Sequence, residues 1–145
     1  MTATVTNTVT AVRITPYGEV ADITLTLSDG LGLQSLYEHI NCSMVECFAV
    51  RASGVRDTHV DAWMDEEGRI NGSGPNFAAS AVIAHLAGQL ESVSAATVAE
   101  MAYRNPGLIH HGVVVLAGFE PEESGIADVP ADVLTVSREV VARLS

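Results

Sequence analysis

The run NFAASAVIAHLAGQL, residues 76 to 90, constrains this chain more than any other stretch. It is rich in alanine, carries no strong polar face and follows Pro75. A helix that is apolar all round must be buried on nearly every side, so the remaining segments have to supply walls around it. Proline is tolerated in the first turn of a helix, and Ser73 or Asn76 stands where a capping side chain is needed. Residues 76–90 are therefore predicted to form the principal core helix.

The walls read as strands and shorter helices. AVRITPYGEVADITLTL (11–27) predicts a β-hairpin: PYG supplies the turn, and Ala21, Ile23, Leu25 and Leu27 alternate with polar residues, leaving one wet face. LQSLYEHI (33–40) makes two helical turns with Leu33, Leu36, Tyr37 and Ile40 on one side. SMVECFAV (43–50) is apolar on both faces, which predicts a central strand, and HVDAWMD (59–65) is a further strand. SAATVAEMAYRN continues as a second helix ended by Asn105-Pro106-Gly107. HGVVVLAGF is a short buried strand, EPEESGIADVP an acidic loop, and TVSREVVARL a C-terminal helix capped by Thr135.

Hairpins mixed with helices, without a repeated βαβ spacing, predict an α+β fold: one domain over residues 11–145, a mostly antiparallel sheet with helices packed on one face. Residues 1–10 are expected to be a flexible segment or an edge strand. At 145 residues such a domain buries roughly two thirds of its unfolded surface. With 48% hydrophobic but only 5% aromatic residues, its interior must be built from Val, Ala, Leu and Ile.

Charge narrows the partners. Eighteen acids oppose seven bases, all arginine, for a formal charge of −11. Such a field repels nucleic acid and anionic membrane and favours a basic partner. No segment reaches the ~18 apolar residues of a membrane span, and MTATVTNTVT has neither the basic patch nor the apolar core of a secretory signal. Cys42 and Cys47 lie an odd number apart on a predicted strand and so on opposite faces. A reduced, cytoplasmic setting is expected.

Tests for chemistry return no catalytic residue, metal or cofactor. Asp65-Glu66-Glu67-Gly68 suggests a calcium loop, but with Gly68 sixth in such a loop its first and last positions fall on Trp63 and Gly74, which supply no carboxylate. GSGPN before a helix suggests a phosphate cradle, yet it lacks the glycine and lysine patterns and has acids beside it. The histidines, His39, His59, His85 and the adjacent His110-His111, include no helical zinc pair, and neither a deaminase pattern nor a serine elbow is present.

Two features point to binding. Alternation puts Glu46 on an apolar strand face with Met44 and Phe48, where burial raises a carboxyl pKa; the structural reading pairs it with Arg13, Arg51 or Arg69 or lets it reach a sheet edge. Trp63, between Asp61 and Asp65 and close to Glu66 and Glu67, joins a large apolar contact to negative charge, as a contact for a basic protein does. The structural reading buries the ring and leaves the acids at its rim.

Three segments, LQSLYEHINCSMVECFAV, DAWMDEEGRINGSGPNFAAS and HHGVVVLAGFEPEESG, are similar respectively to a leucine-glutamine helix followed by a strand carrying glutamate, to a strand, acidic turn and N-x-x-A segment, and to a late strand, glycine and acidic loop. In these the chain resembles the domain of unknown function 3846 family, frequent in phage, plasmid and actinobacterial genomes, over residues 11–145. The matching positions are Leu33, Gln34, Glu46, Asp65, Glu66, Gly68, Asn76, Ala79, Gly112 and Gly118. The chain departs from the family at HINCSM, where glycines are usual, and in a longer 91–105 connection. The resemblance implies a small cytoplasmic accessory protein of a mobile element or its host, and no activity.

The expected function is a non-catalytic acidic interaction protein, a phage or plasmid accessory factor that binds a basic or nucleic-acid-binding host protein through Asp61, Trp63, Asp65, Glu66 and Glu67, with mimicry of DNA as a special case. The alternative is a small-molecule-binding domain or weak enzyme with a pocket near Glu46 and Asn76. A third reading is a self-associating structural domain.

Overall fold

The computed structural model describes residues 8–27, 33–51, 59–68, 70, 72–120 and 125–145. In chain order the elements are β1 (Thr8–Ile14), β2 (Val20–Thr26), α1 (Leu33–Ile40), β3 (Val45–Arg51), β4 (His59–Asp65), α2 (Phe77–Leu86) and α3 (Ala95–Arg104). A tight helical turn at Pro106–Leu108 leads into β5 (Val114–Glu120), β6 (Gly125–Ala127) and α4 (Ala131–Ala142). Every strand pairing is antiparallel, in the order β2-β1-β5-β4-β3 with β6 also on β5. This is the predicted α+β class.

Local signals explain most elements. The β1–β2 turn closes where Gly18 takes a φ of 83°, which glycine adopts without strain, and donates to the Thr15 carbonyl. Asn41 ends α1 at φ 62° in the left-handed region that asparagine tolerates, in the HINCSM stretch that lacks glycine. Ser94 and Thr97 form a reciprocal capping box on α3. The side chain of Asn76 caps α2, whose residues are nearly all buried.

The sheet separates two cores. On one face Val12, Ile14, Val60, Ala62, Val114 and Leu116 pack with α2, Val98 of α3, and Val133 and Val140 of α4. On the other, Ala11, Leu25, Val115 and Ala117 pack with Leu36 and Ile40 of α1. The expectation of helices on one face therefore holds for α2, α3 and α4 and is corrected for α1. Successive residues of β5 enter opposite cores, and each fully buried Val or Leu there contributes about 1.5–3 kcal/mol.

Three further expectations are corrected. The central strand is β5 rather than β3, which lies at the sheet edge with Cys47 and Ala49 exposed. The stretch read as an acidic loop contains β6, which borders β5 beyond the end of β1. There a β-carbon on Gly118 would overlap the Asp128 carbonyl, so only glycine lets the two backbones meet. Finally, α4 starts at Ala131 behind Pro130, with Thr135 inside it, because Pro130 sets the chain's entry and the buried series Val133, Ser137 and Val140 already begins there. Thr8–Thr10 belong to β1, an inner strand; residues 1–7 lie outside the described residues.

Candidate functional site

A cleft of about 540 Å³ opens on the α2-bearing side of the β3–β4 end of the sheet. Its walls come from two parts of the chain. One is the segment before β5, with Gly107, Ile109, His110 and His111; the other is Glu46 and Phe48 of β3 with Met64, Asp65, Glu66, Gly68 and Ile70.

The first wall is strapped to the start of α2. The Asn76 N–H donates to the His110 carbonyl at 2.7 Å, and the Gly112 N–H to the Gly74 carbonyl at 2.9 Å. Nδ2 of Asn76 donates to the carbonyls of Gly112 at 2.8 Å and Ile14 at 3.0 Å, while its Oδ1 accepts from the Ala79 N–H at 2.9 Å. The Ser80 hydroxyl donates to the Asn76 carbonyl at 2.7 Å and accepts from the His110 N–H at 2.9 Å. Nδ1 of His111 contacts the Ser73 carbonyl at 3.1 Å. Asn76 is fully buried, and each of its polar groups has a partner within the chain. GSGPN thus serves as the entry turn and cap of α2, and the Asn76 N–H that a phosphate cradle would use is already bonded.

The facing wall is organised by backbone bonds and by the Asp65 side chain. Glu66 N–H donates to the Met44 carbonyl and Gly68 N–H to the Asp65 carbonyl, both at 3.1 Å, and Glu67 N–H donates to the Asp65 carboxylate at 2.9 Å. Gly68 is packed so closely that a β-carbon would lie 3.1 Å from the His111 carbonyl oxygen, which ties the turn to the strap. Glu46, Glu66 and Glu67 are exposed, and among the described residues the carboxylates of Glu46 and Glu66 have no partner. The burial expected for Glu46 is therefore not found. Its proposed partner Arg69 and the side chain of Arg51 lie outside the described residues, and Arg13 instead donates from Nε to the His39 carbonyl at 3.0 Å. The floor between the walls is apolar, with the Phe48 and His110 rings in contact at a centroid separation of 5.1 Å and tilted by 30°.

Trp63 and Asp61 lie on the opposite face of the sheet. There a separate groove of about 280 Å³ is lined by Leu33, Cys47, Asp61, Trp63, Phe119, Gly125 and Ile126. The indole is half-buried against the α1 core, and its Nε1, fully covered, has no hydrogen-bond partner among the described residues. Burial pushes the Asp61 carboxyl above its ordinary 3.8, with nearby His59 pulling the other way. Burial, reinforced by Asp61, likewise raises the Cys47 thiol, and burial, reinforced by Asp65, raises Cys42; both cysteines are free.

The seven residues singled out from sequence thus divide. Glu46, Asp65 and Glu66 line one cleft, Glu67 stands exposed beside it, Asn76 braces its far wall from within, and Trp63 with Asp61 belongs to the other face. Sequence reasoning missed Phe48, Ile109, His110 and His111 as parts of the site. The adjacent histidines before β5 were visible, but nothing local signals that Asn76 bonds to a residue 36 positions later. Among the described residues no group of His, Cys, Asp and Glu side chains is arranged to hold a metal, and no helix is long and apolar enough to cross a membrane. Comparison with family models, curated proteins and solved structures finds no match for this chain.

Proposed function

We propose that this protein is a non-catalytic interaction domain that takes a basic segment of a partner protein into the cleft between β3, the β4 turn and the His110–His111 strap. One arrangement carries the reading: Glu46, Asp65 and Glu66 border a floor made by Phe48, Met64 and Ile109. An arginine or lysine side chain is itself amphipathic, with an apolar stem and a charged head. Its stem lies on the floor and its head at the carboxylates. Exposed ion pairs contribute only ~0–1 kcal/mol each, so affinity comes from the covered stem and from several contacts together. The surplus of acids acts mainly on the association rate.

The resemblance to a family of mobile-element proteins fits an accessory factor acting on a host protein. Asn76, Gly112 and Gly118, three residues on which that resemblance rests, occupy positions with strict demands: a buried, fully bonded side chain, a positive φ, and a close backbone approach.

The test is the association kinetics of an arginine-rich peptide. Association should slow as salt rises, and slow again in Glu46→Gln, with the thermal midpoint nearly unchanged, and in the Asp65→Ala/Glu66→Ala/Glu67→Ala variant, where loss of the Asp65 bond to the Glu67 N–H lowers the midpoint modestly. Unaltered kinetics and salt response in both variants would remove this surface from consideration. Competition between duplex DNA and this protein for one host target tests the mimicry case.

A second reading, a small-molecule-binding domain or weak enzyme, draws support from the cleft volume, which falls within the roughly 300–1,000 Å³ usual for ligand pockets. Small polyamines are the matching chemistry. A polyamine that raises the melting temperature of the protein but not of Glu46→Gln favours this reading.

A further inference from the structure

We infer that the partner segment docks in extended form, as an added strand on the open edge of β3. The inference rests on the reading of the cleft as a site for a basic segment and specifies how that segment is held.

Among the described residues strand β3 pairs only with β4, so its other side is an edge of the sheet they form. The register tells which backbone groups point outward. Glu46 faces Met64, so Met44 faces Glu66 one repeat further on, and the Glu66 N–H donates to the Met44 carbonyl. In an antiparallel ladder such bonded pairs alternate with unbonded ones. Met44, Glu46 and Phe48 therefore turn their backbone groups toward β4, whereas Val45, Cys47 and Ala49 turn N–H and C=O away from the sheet. Among the described residues none bonds to these outward groups. The opposite edge differs: the Thr26 N–H at the end of β2 donates to the Ser35 hydroxyl of α1 at 3.1 Å.

An added strand uses these groups and the cleft together. Its residues opposite Val45, Cys47 and Ala49 exchange backbone hydrogen bonds with β3 and project their side chains to the Trp63 side, where small residues suit the low profile of Cys47 and Ala49. Residues opposite Glu46 and Phe48 form the closer, unbonded pairs and project into the cleft. A cation opposite Glu46 also reaches toward Glu66, and a guanidinium or aromatic group opposite Phe48 lies against its ring. The partner motif is thus a basic residue, a small residue, then a basic or aromatic residue, in extended conformation.

Charge decides against a second copy as the occupant, since two chains of −11 would bring like charges together. The register shift between Ala49 and Arg51 ends regular pairing there, so the added strand is short.

The probe is a capped eight-residue peptide alternating arginine and threonine, compared with two versions N-methylated at every threonine or at every arginine. Methylated threonines should weaken binding at least about tenfold, as expected when several backbone hydrogen bonds are lost, and methylated arginines by less than about threefold. Cys47→Pro removes an outward N–H that the β3–β4 ladder does not use, and should weaken the unmodified peptide about as much. The methylated peptides leave the protein untouched, so the test stands even if this variant folds poorly. Equal losses from both methylations overturn strand addition but leave the cleft reading intact, provided the unmodified peptide still binds in a salt- and Glu46-dependent way. No binding by the unmodified peptide overturns both. A dimer of the free protein that Cys47→Pro dissolves would give the edge to a second copy and overturn the inference alone.

Discussion

The two walls of the cleft treat their polar groups in opposite ways. Around Asn76, Ser80 and the His110–Gly112 strap, side chains and backbone satisfy one another in a closed, largely buried network. Across the cleft, Glu46 and Glu66 extend into solvent, and the turn that carries Glu66 is shaped by main-chain bonds and by the Asp65 carboxylate, which accepts from the Glu67 N–H. A group that is already bonded inside the chain has little to offer a partner, whereas removing it leaves others unsatisfied at full cost. The strapped wall is therefore scaffold and the solvated wall is surface. Sequence position alone does not separate them, since both carry polar residues beside apolar runs.

The sharpest way to break this contrast is Asn76→Ala. It deletes a helix cap worth about 1 kcal/mol and leaves two carbonyls without their donor, so a loss of about 3–5 kcal/mol in urea unfolding is expected. A loss below about 1 kcal/mol would mean that the strap is not the scaffold. Ser80→Ala comes next, at about 1–2 kcal/mol, because the His110 N–H loses its acceptor. Glu46→Gln and Glu66→Gln should each stay within about 0.5 kcal/mol, as surface changes do; a larger loss would show that these carboxylates hold the fold.

The smallest effect belongs to Asp61, on the opposite face. Its folded pKa is raised above 3.8 by burial, so the folded state binds more protons than the unfolded state, and stability falls as pH rises through that value toward the folded one. Asp61→Asn should therefore stabilise slightly at neutral pH, by a fraction of a kcal/mol after solvent screening, and leave stability unchanged well below pH 3.8. Unfolding midpoints of the two proteins across this range provide the check.

What the sequence revealed followed the range of its signals. The β1–β2 turn, the α2 and α3 helices and a cap at Ser73 or Asn76 depend on neighbours within a few residues, and all could be read. The second role of Asn76 could not: its donors reach Ile14 and Gly112, 62 and 36 positions away. Strand β3 misled because apolar residues on both faces suit a central strand, while the actual cover depends on what packs above. Helix α1 has only eight residues and leaves Cys47 and Ala49 uncovered. Strand β6 was hidden because its pairing needs a bare backbone at Gly118, which looks like an ordinary glycine until the Asp128 carbonyl is set against it.

The position of Trp63 has a practical side. It is the chain's sole tryptophan and sits directly across the ladder from Cys47, at the middle of the free edge. The covered indole nitrogen, unbonded among the described residues, makes its emission colour sensitive to any acceptor or water brought near. The molecule thus carries a built-in optical gauge beside β3, able to follow events at that margin without any attached dye.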